Sequence, residues 1–161
     1  MSVVGIDFGN DTCYISVARQ GGIETIANDY SLRETPSYVA FGEKARTIGV
    51  AAKSGQMTQI KRTFFGFKKL LGRKYDDPHV QAELSRVPYD CVKSDSGSVG
   101  YNINFNGKNK QLSPEQLTAA LFTKLRDIGE TALSVTVNDV VISVPSYFTD
   151  AERRALLDSA K

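Results

Sequence analysis

In Val4-Gly5-Ile6-Asp7-Phe8-Gly9-Asn10-Asp11-Thr12 an apolar run delivers a carboxylate near its end, a glycine permits a sharp turn, and small polar residues lead into a second strand-like run. A turn of this kind aims successive backbone N–H groups into one concavity, which suits phosphate oxygens. A carboxylate beside it can hold Mg²⁺ directly or through water. The same residues also make an ordinary hairpin turn with an acidic residue near the surface. The stretch is neither a Walker A loop nor a GxGxxG fingerprint, and on the residues alone both readings stand.

Outward from that turn, residues 2–8 are almost wholly apolar, as in a strand covered on both faces. Residues 12–18 alternate, with Cys13, Ile15 and Val17 on one side, and after Gly21-Gly22 residues 23–27 return. Such close spacing requires antiparallel hairpins. Residues 28–35 read as a polar loop, 36–41 as a strand weakened by Pro36, 47–53 as a short helical segment, and 57–71 as mixed structure. Residues 87–92 and 99–105 read as strands, the second with Tyr101, Ile103 and Phe105 on one face. Asn106-Gly107 predicts a type I′ hairpin into 108–112, so the middle of the chain is a small antiparallel meander.

Ser113-Pro114-Glu115-Gln116 opens the clearest helix, with Ser113 as cap, Pro114 at its first position and Gln116 completing a capping box. Leu117, Leu121, Leu125, Ile128 and Ala132 recur at three and four as its buried stripe. Residues 139–144 form an apolar strand stopped by Pro145. Thr149 caps a second helix with Glu152 at its third position and Ala151, Ala155 and Leu156 on its apolar face. That helical pattern still runs at Lys161, which leads to the expectation of an N-terminal piece of a longer protein.

Composition narrows the function classes. With 161 residues, 41% apolar and 24% charged, the chain has the make-up of a folded globular lobe. A net charge of +2 is too mild to argue for a nucleic-acid binder. Between positions 44 and 75, however, stand nine Lys or Arg and no Asp or Glu, which leaves −7 for the remainder. No stretch has the roughly 20 apolar residues that cross a bilayer, and the start forms no secretory h-region. Cys13 and Cys91 read as free thiols in a reducing compartment, and His79 as a surface histidine. There is no zinc spacing, GxSxG, HExxH or EF-hand loop. In Phe64-Phe65-Gly66-Phe67-Lys68-Lys69-Leu70-Leu71-Gly72-Arg73 one lysine, Lys68, is a candidate for a point charge held by packing and directed at phosphate. The opposed reading is a solvated basic face around an aromatic core.

Several of these stretches together carry a resemblance. VVGIDFG (3–9), GGIETIAND (21–29), TPSYVAFGEKARTIGVAAK (35–53), GFKKLLGRKYDDP (66–78) and VVISVPSYFTDAERR (140–154) resemble the nucleotide-binding domain of the Hsp70 superfamily, and within it the Hsp110 branch. The resemblance implies an α/β fold, an actin-like, ribonuclease H-like ATPase lobe I with an inserted small α+β subdomain. Residues 1–37 and 113–161 would form the incomplete core of that lobe and 38–112 the inserted upper subdomain. Lobe II and the substrate-binding domain would lie outside the chain.

Position by position, the resemblance makes Asp7 the aspartate that helps hold hydrated Mg²⁺. It makes Gly9, Asn10, Asp11 and Thr12 the loop around the β- and γ-phosphates of ATP. It makes Lys68 the catalytic lysine that orients the attacking water. Arg73 matches a family arginine near the nucleotide cleft and lobe interface and is counted with the cofactor-binding residues, and Pro145 matches a hinge proline linking nucleotide state to a distant peptide-binding domain. Hsp70 usually has Thr-Thr where this chain has Asn10-Asp11. A carboxylate there repels phosphate unless a cation intervenes or it points away, so ATP binding is expected and rapid hydrolysis is not. The implied function is that of a chaperone binding ATP/ADP and Mg²⁺, acting as nucleotide-exchange factor for a cytosolic Hsp70 and as holdase for unfolded client polypeptides. No nucleic acid or membrane partner is implied, the compartment is cytoplasmic with nuclear entry open to it, and the chain alone is expected to be inactive as an ATPase. The alternatives are a conventional Hsp70 chaperone ATPase, a non-enzymatic binding fragment, and another actin-like ATPase such as a sugar kinase.

Overall fold

The computed structural model describes residues 3–19 and 21–161; Ser2, at the head of the expected first strand, lies outside the described residues. Strand β1 (Val3–Phe8) and strand β2 (Thr12–Arg19) pair antiparallel, Val4 opposite Val17 and Phe8 opposite Cys13. Cys13, Ile15 and Val17 are buried, as the alternation requires. Strand β3 (Gly22–Thr25) pairs with the far end of β2.

Residues 28–35, expected as a loop, instead end in strand β4 (Glu34–Pro36), which pairs with the near end of β2. Asn28 makes this possible. Its Oδ1 accepts from the N–H groups of Tyr30 (3.0 Å) and Leu32 (3.1 Å), and its Nδ2 donates to the Glu34 carbonyl (3.0 Å). A single buried carboxamide thus replaces the missing ladder. The expected strand 36–41 is two strands, because Pro36 has no N–H to continue the first. The chain bends at Ser37-Tyr38 and enters a different sheet as β5 (Val39–Phe41). Next comes β6 (Arg46–Ile48), so the helix expected over 47–53 starts later, as α1 (Val50–Ser54). Gly49, at φ 72°, makes the change of direction.

The mixed region holds two 3₁₀ turns, Ile60–Arg62 and Phe67–Leu70, either side of β7 (Thr63–Phe64). Helix α2 (Pro78–Leu84) was not anticipated, although its start signal is in the sequence: Asp77 accepts from the His79 N–H at 2.8 Å and Pro78 opens the first turn. His79 is exposed on that turn. Strand β8 (Cys91–Lys93) is shorter and later than 87–92, since Pro88 interrupts the ladder. Strands β9 (Val99–Phe105) and β10 (Lys108–Leu112) form the expected hairpin, with Asn106 and Gly107 at φ 53° and 71°.

Helix α3 (Pro114–Leu133) has the full capping box. Leu117, Leu121, Leu125 and Ile128 are buried, but Ala132 is exposed. The stripe ends at Gly129, where an added Cβ would stand 2.9 Å from Ile15 Cδ1 of the sheet beneath. Strand β11 (Asp139–Ile142) runs parallel to β1, Val3 opposite Asp139, and helix α4 (Asp150–Ala160) follows. On α4, Ala155 and Leu156 are buried as expected while Ala151 is exposed; Glu152 and Ser159 take the buried positions instead.

One five-stranded sheet, β11-β1-β2-β3 with β4 on β2, is built from both ends of the chain, and two three-stranded sheets, β6-β5-β7 and β10-β9-β8, are built from its middle. A continuous apolar cluster joins all three, with α3 at its centre and Phe8 edge-on to Phe122 at 5.1 Å. Leu125→Ala should therefore cost about 2–5 kcal/mol in urea unfolding, while Ala132→Lys should change stability by no more than about 0.5 kcal/mol. Equal effects would contradict this packing.

Candidate functional site

The turn between β1 and β2 is held closed from below. At Gly9 an added Cβ would stand 2.1 Å from the Thr12 carbonyl oxygen, so only glycine fits. The Gly9 carbonyl accepts from Ser37 Oγ (3.0 Å), the Ser37 N–H donates to the Asp11 carbonyl (2.7 Å), and Cys13 Sγ lies 3.2 Å from the same hydroxyl. Buried Ser37 thereby fixes the loop's backbone while the side chains of Asn10 and Asp11 stay exposed. The Asp11 carboxylate lies 3.6 Å from Lys53 Nζ on α1, so the repulsion expected of it is partly neutralised by a cation. An exposed pair of this kind adds little stability; its effect here is on the local field.

Asp7 sits exposed near the end of β1. Its Oδ1 accepts from Ser143 Oγ at 2.7 Å, and that hydroxyl in turn accepts from the Phe8 N–H at 3.3 Å. The Asp7 carboxylate makes no other hydrogen bond to the described residues, so its second oxygen is unengaged by them. Sequence reading missed both serines. Ser143 reaches Asp7 only because β11 lies parallel beside β1, a pairing across 136 positions that no local pattern announces.

Lys68 decides between its two readings. It is 8% exposed, whereas its neighbour Lys69 is exposed and pairs with Glu83 at 2.8 Å. Lys68 Nζ donates to the Phe8 carbonyl and lies 5.1 Å from the Phe8 ring centroid. No carboxylate comes within ion-pair range of it among the described residues. Burial pushes its pKa below the ordinary lysine value, and the charge of Cys13 once ionised and of Asp7 opposes that shift. Lys68 is thus a desolvated ammonium beside the turn, held by a carbonyl and an aromatic ring and by no carboxylate.

Arg73 is a latch. Its guanidinium contacts Glu152 Oε1 through Nε (3.0 Å) and Nη2 (2.8 Å), and Asp77 through Nη1 (3.4 Å). Glu152 is 3% exposed, and its other oxygen accepts from the Thr149 N–H (2.7 Å) and hydroxyl (2.9 Å). Burial acts to raise its pKa, but the hydrogen bonds from Thr149 and the nearby Arg73 more than offset this and hold the carboxyl below its usual range. Next door, Gly72 at φ 66° lets α4 approach so closely that a Cβ would stand 2.6 Å from the Ala151 carbonyl oxygen.

These pieces border one cleft of about 450 Å³, lined among others by Asn10, Lys68, Arg73, Tyr147, Phe148 and Glu152. Asn10, Lys68 and Arg73 were singled out in the sequence; the aromatic wall from Tyr147-Phe148 was not. Asp7, Gly9, Asp11 and Thr12 do not line the cleft themselves and border it through the turn. Pro145 stands between β11 and α4, where its carbonyl accepts from the Phe148 N–H (3.1 Å) and Arg153 Nη2 (3.4 Å). Among the described residues no group of three or more His, Cys, Asp or Glu is gathered for a metal. Both thiols are free; burial raises both, Cys91 to about 12 with the charge of Asp90 adding to it, so neither is a ready nucleophile.

Comparison with known proteins identifies the family. The family described as Hsp70 protein matches residues 3–161. The chain is 50% identical over 161 residues to Heat shock 70 kDa protein 4L of Homo sapiens, covering 100% of this chain and 19% of that protein. It is 50% identical to Heat shock protein 110 of Caenorhabditis elegans, covering 99% and 21%. Against Heat shock 70 kDa protein 4 of Rattus norvegicus the identity is 48%, over 100% and 19%. The chain thus spans about a fifth of the length of the curated relatives it matches.

The Arg73–Glu152 latch has a pH signature. A carboxyl held below its ordinary value near 4.5 contributes stability that is complete above that value and is lost as pH falls through the lower, folded one. Glu152→Gln should cost about 1–2 kcal/mol at neutral pH, and the gap from wild type should close as unfolding is measured at pH values progressively below that ordinary value. A gap that stays constant into acid would contradict the latch.

Proposed function

The chain belongs to the Hsp70 family, on its Hsp110 side, and from that premise we propose that it supplies one wall of the ATP cleft of an Hsp110-type chaperone. Residues 1–37 and 113–161 would be the lobe core and 38–112 the inserted subdomain. Family membership carries nucleotide binding; the choice of ATP and ADP with Mg²⁺ is part of the proposal. One observation carries it above the others. Lys68 is buried without a carboxylate, beside a turn that only glycine at position 9 can make.

In this reading the backbone of Gly9 through Thr12 cradles the terminal phosphates, and Ser37 keeps that backbone in place. Asp7, oriented by Ser143, would hold hydrated Mg²⁺, which neutralises charge on the phosphate oxygens. Lys68 lends a fixed positive charge at the γ-phosphate and orients the water that attacks it, its own proton staying on Nζ. Tyr147 and Phe148 exclude solvent from one side of the cleft. Asn10 and Asp11 offer no hydroxyl to the γ-phosphate, and Asp11, though tied to Lys53, still brings a negative charge. We therefore rank hydrolysis second to ATP as a conformational lock.

The locked state would embrace a cytosolic Hsp70 and speed release of its ADP, and the whole protein would also hold unfolded polypeptides. Pro145, in the turn between β11 and α4, would pass nucleotide state on to the rest of the protein. The two free thiols fit a cytosolic setting, with nuclear entry open to it.

Stopped flow on a cytosolic Hsp70 preloaded with fluorescent ADP tests this with the complete protein. ATP should make it accelerate ADP release by about 5–150-fold, the range of ordinary coupling energies, and Asp7→Ala should abolish the effect. Brisk steady-state hydrolysis with no acceleration would move the reading to a conventional Hsp70 ATPase. Partner binding indifferent to ATP would move it to a non-enzymatic module.

A further inference from the structure

Among the exposed cations that make no ion pair with the described residues, six gather away from the cleft: Lys44, Arg46, Lys61, Arg62, Lys108 and Lys110. They come from three separate segments, and the fold draws them to one place. Arg46 is paired with Phe41 across β5 and β6, the Phe41 ring lies 5.7 Å from that of Phe105, and Phe105 is paired with Lys108 across the hairpin. The Asn106 N–H donates to the Glu43 carbonyl at 3.2 Å, which seats the Lys44 turn against the hairpin tip. Lys61 and Arg62 share a small cavity with Phe41, Phe64 and Ile103, and Ile103 is paired with Lys110.

The strand they surround is an open edge. Strand β10 ends the order β10-β9-β8. In a two-residue hairpin the closing residues, here Phe105 and Lys108, exchange hydrogen bonds. Alternation then turns the peptide groups of Lys108, Lys110 and Leu112 toward β9 and those of Asn109 and Gln111 toward the open side. Neither Asn109 nor Gln111 makes another backbone hydrogen bond among the described residues. Lysines on an edge strand are ordinarily a guard against pairing with another copy. Lys108 and Lys110 would suffice for that. A guard does not account for four more cations converging on the same edge from elsewhere, where their mutual repulsion opposes folding.

We propose that the β10 edge receives an extended acidic polypeptide segment as an added strand. Its main chain pairs with Asn109 and Gln111. Its alternate side chains on the Lys108–Lys110 side are carboxylates, roughly 5 Å from their cross-strand neighbours. Its other side chains lie over the carboxamides of Asn102, Asn104, Asn109 and Gln111, which line a shallow groove of about 530 Å³ and suit polar residues. A single-stranded nucleic acid is the poorer fit, because Phe41 and Phe64 are buried and Phe105, edge-on to Phe41, is only partly exposed for a base to stack on.

Fluorescence anisotropy on the complete protein tests this with a labelled peptide, acetyl-Glu-Thr-Glu-Thr-Glu-Thr-Glu. Binding should weaken about tenfold between about 50 and about 300 mM NaCl as screening shortens the reach of the charges. Lys108→Glu with Lys110→Glu, and separately Lys61→Glu with Arg62→Glu, should weaken it about tenfold or more, with thermal unfolding midpoints kept near wild type. The same peptide N-methylated at alternate amides should also lose about tenfold, since strand pairing needs those donors. Equal binding of the N-methylated peptide overturns strand addition, and equal binding of a Lys-Thr peptide overturns charge selection. Tighter binding of an oligothymidylate of equal charge makes the patch a nucleic-acid surface, and no peptide binding at all ends the proposal.

Discussion

A lysine ammonium taken out of water without a counter-ion is a costly thing to fold around, and the arrangement of this chain follows from where Lys68 is put. Its Nζ rests on the Phe8 carbonyl, at the junction where β1 becomes the turn. The middle of the chain, which carries Lys68, is thereby fastened to the central sheet at the point where the turn opens. The charge of Asp7, and that of Cys13 once it ionises, favour its charged form without pairing with it. Among the described residues no carboxylate completes an ion pair with it.

Everything around that ammonium keeps the turn from relaxing. Gly9 lets the backbone fold back on Thr12, Ser37 ties the Gly9 and Asp11 carbonyls to β4, and Ser143 ties Asp7 to β11. The opposite rim is set by a buried ion pair, Arg73 with Glu152, that clamps α4 to the segment carrying Lys68. Losing Arg73 would leave the buried Glu152 carboxylate without its cation, whereas losing Glu152 leaves the half-buried Arg73 still beside Asp77. The clamp also engages the Arg73 guanidinium at the rim of the cleft.

Much of this was legible in the residues. The β1–β2 hairpin, the Asn106-Gly107 turn and both capped helices follow from alternation, turn chemistry and caps, because each is a local signal. Local signals failed where a distant contact overrules them. Residues 28–35 look like a polar loop until Asn28 folds them around its own carboxamide. The stripe on α3 reads through to Ala132, yet the sheet beneath ends its hold at Gly129. Helix α2 announces itself through Asp77-Pro78, a start signal that short length and a polar composition concealed. At the site, the residues named in advance lie on one stretch each, whereas Ser37 and Ser143 act across strand pairings and carry no motif. The resemblance singles out Lys68 from Lys69, and in the fold burial separates them: Lys68 is 8% exposed while Lys69 is exposed.

The most direct test of the central claim is the protonation of Lys68 itself. In the complete protein, ε-¹³C-labelled lysine can be followed by NMR as pH rises, with Lys68→Met assigning the resonance. The account predicts a midpoint below the ordinary value of 10.5 in the free protein, where burial dominates. It predicts an upward shift when Mg²⁺-ATP binds, because phosphate oxygens favour the charged form. A Lys68 resonance whose titration is indifferent to bound ATP would contradict the claim that this ammonium waits for a phosphate.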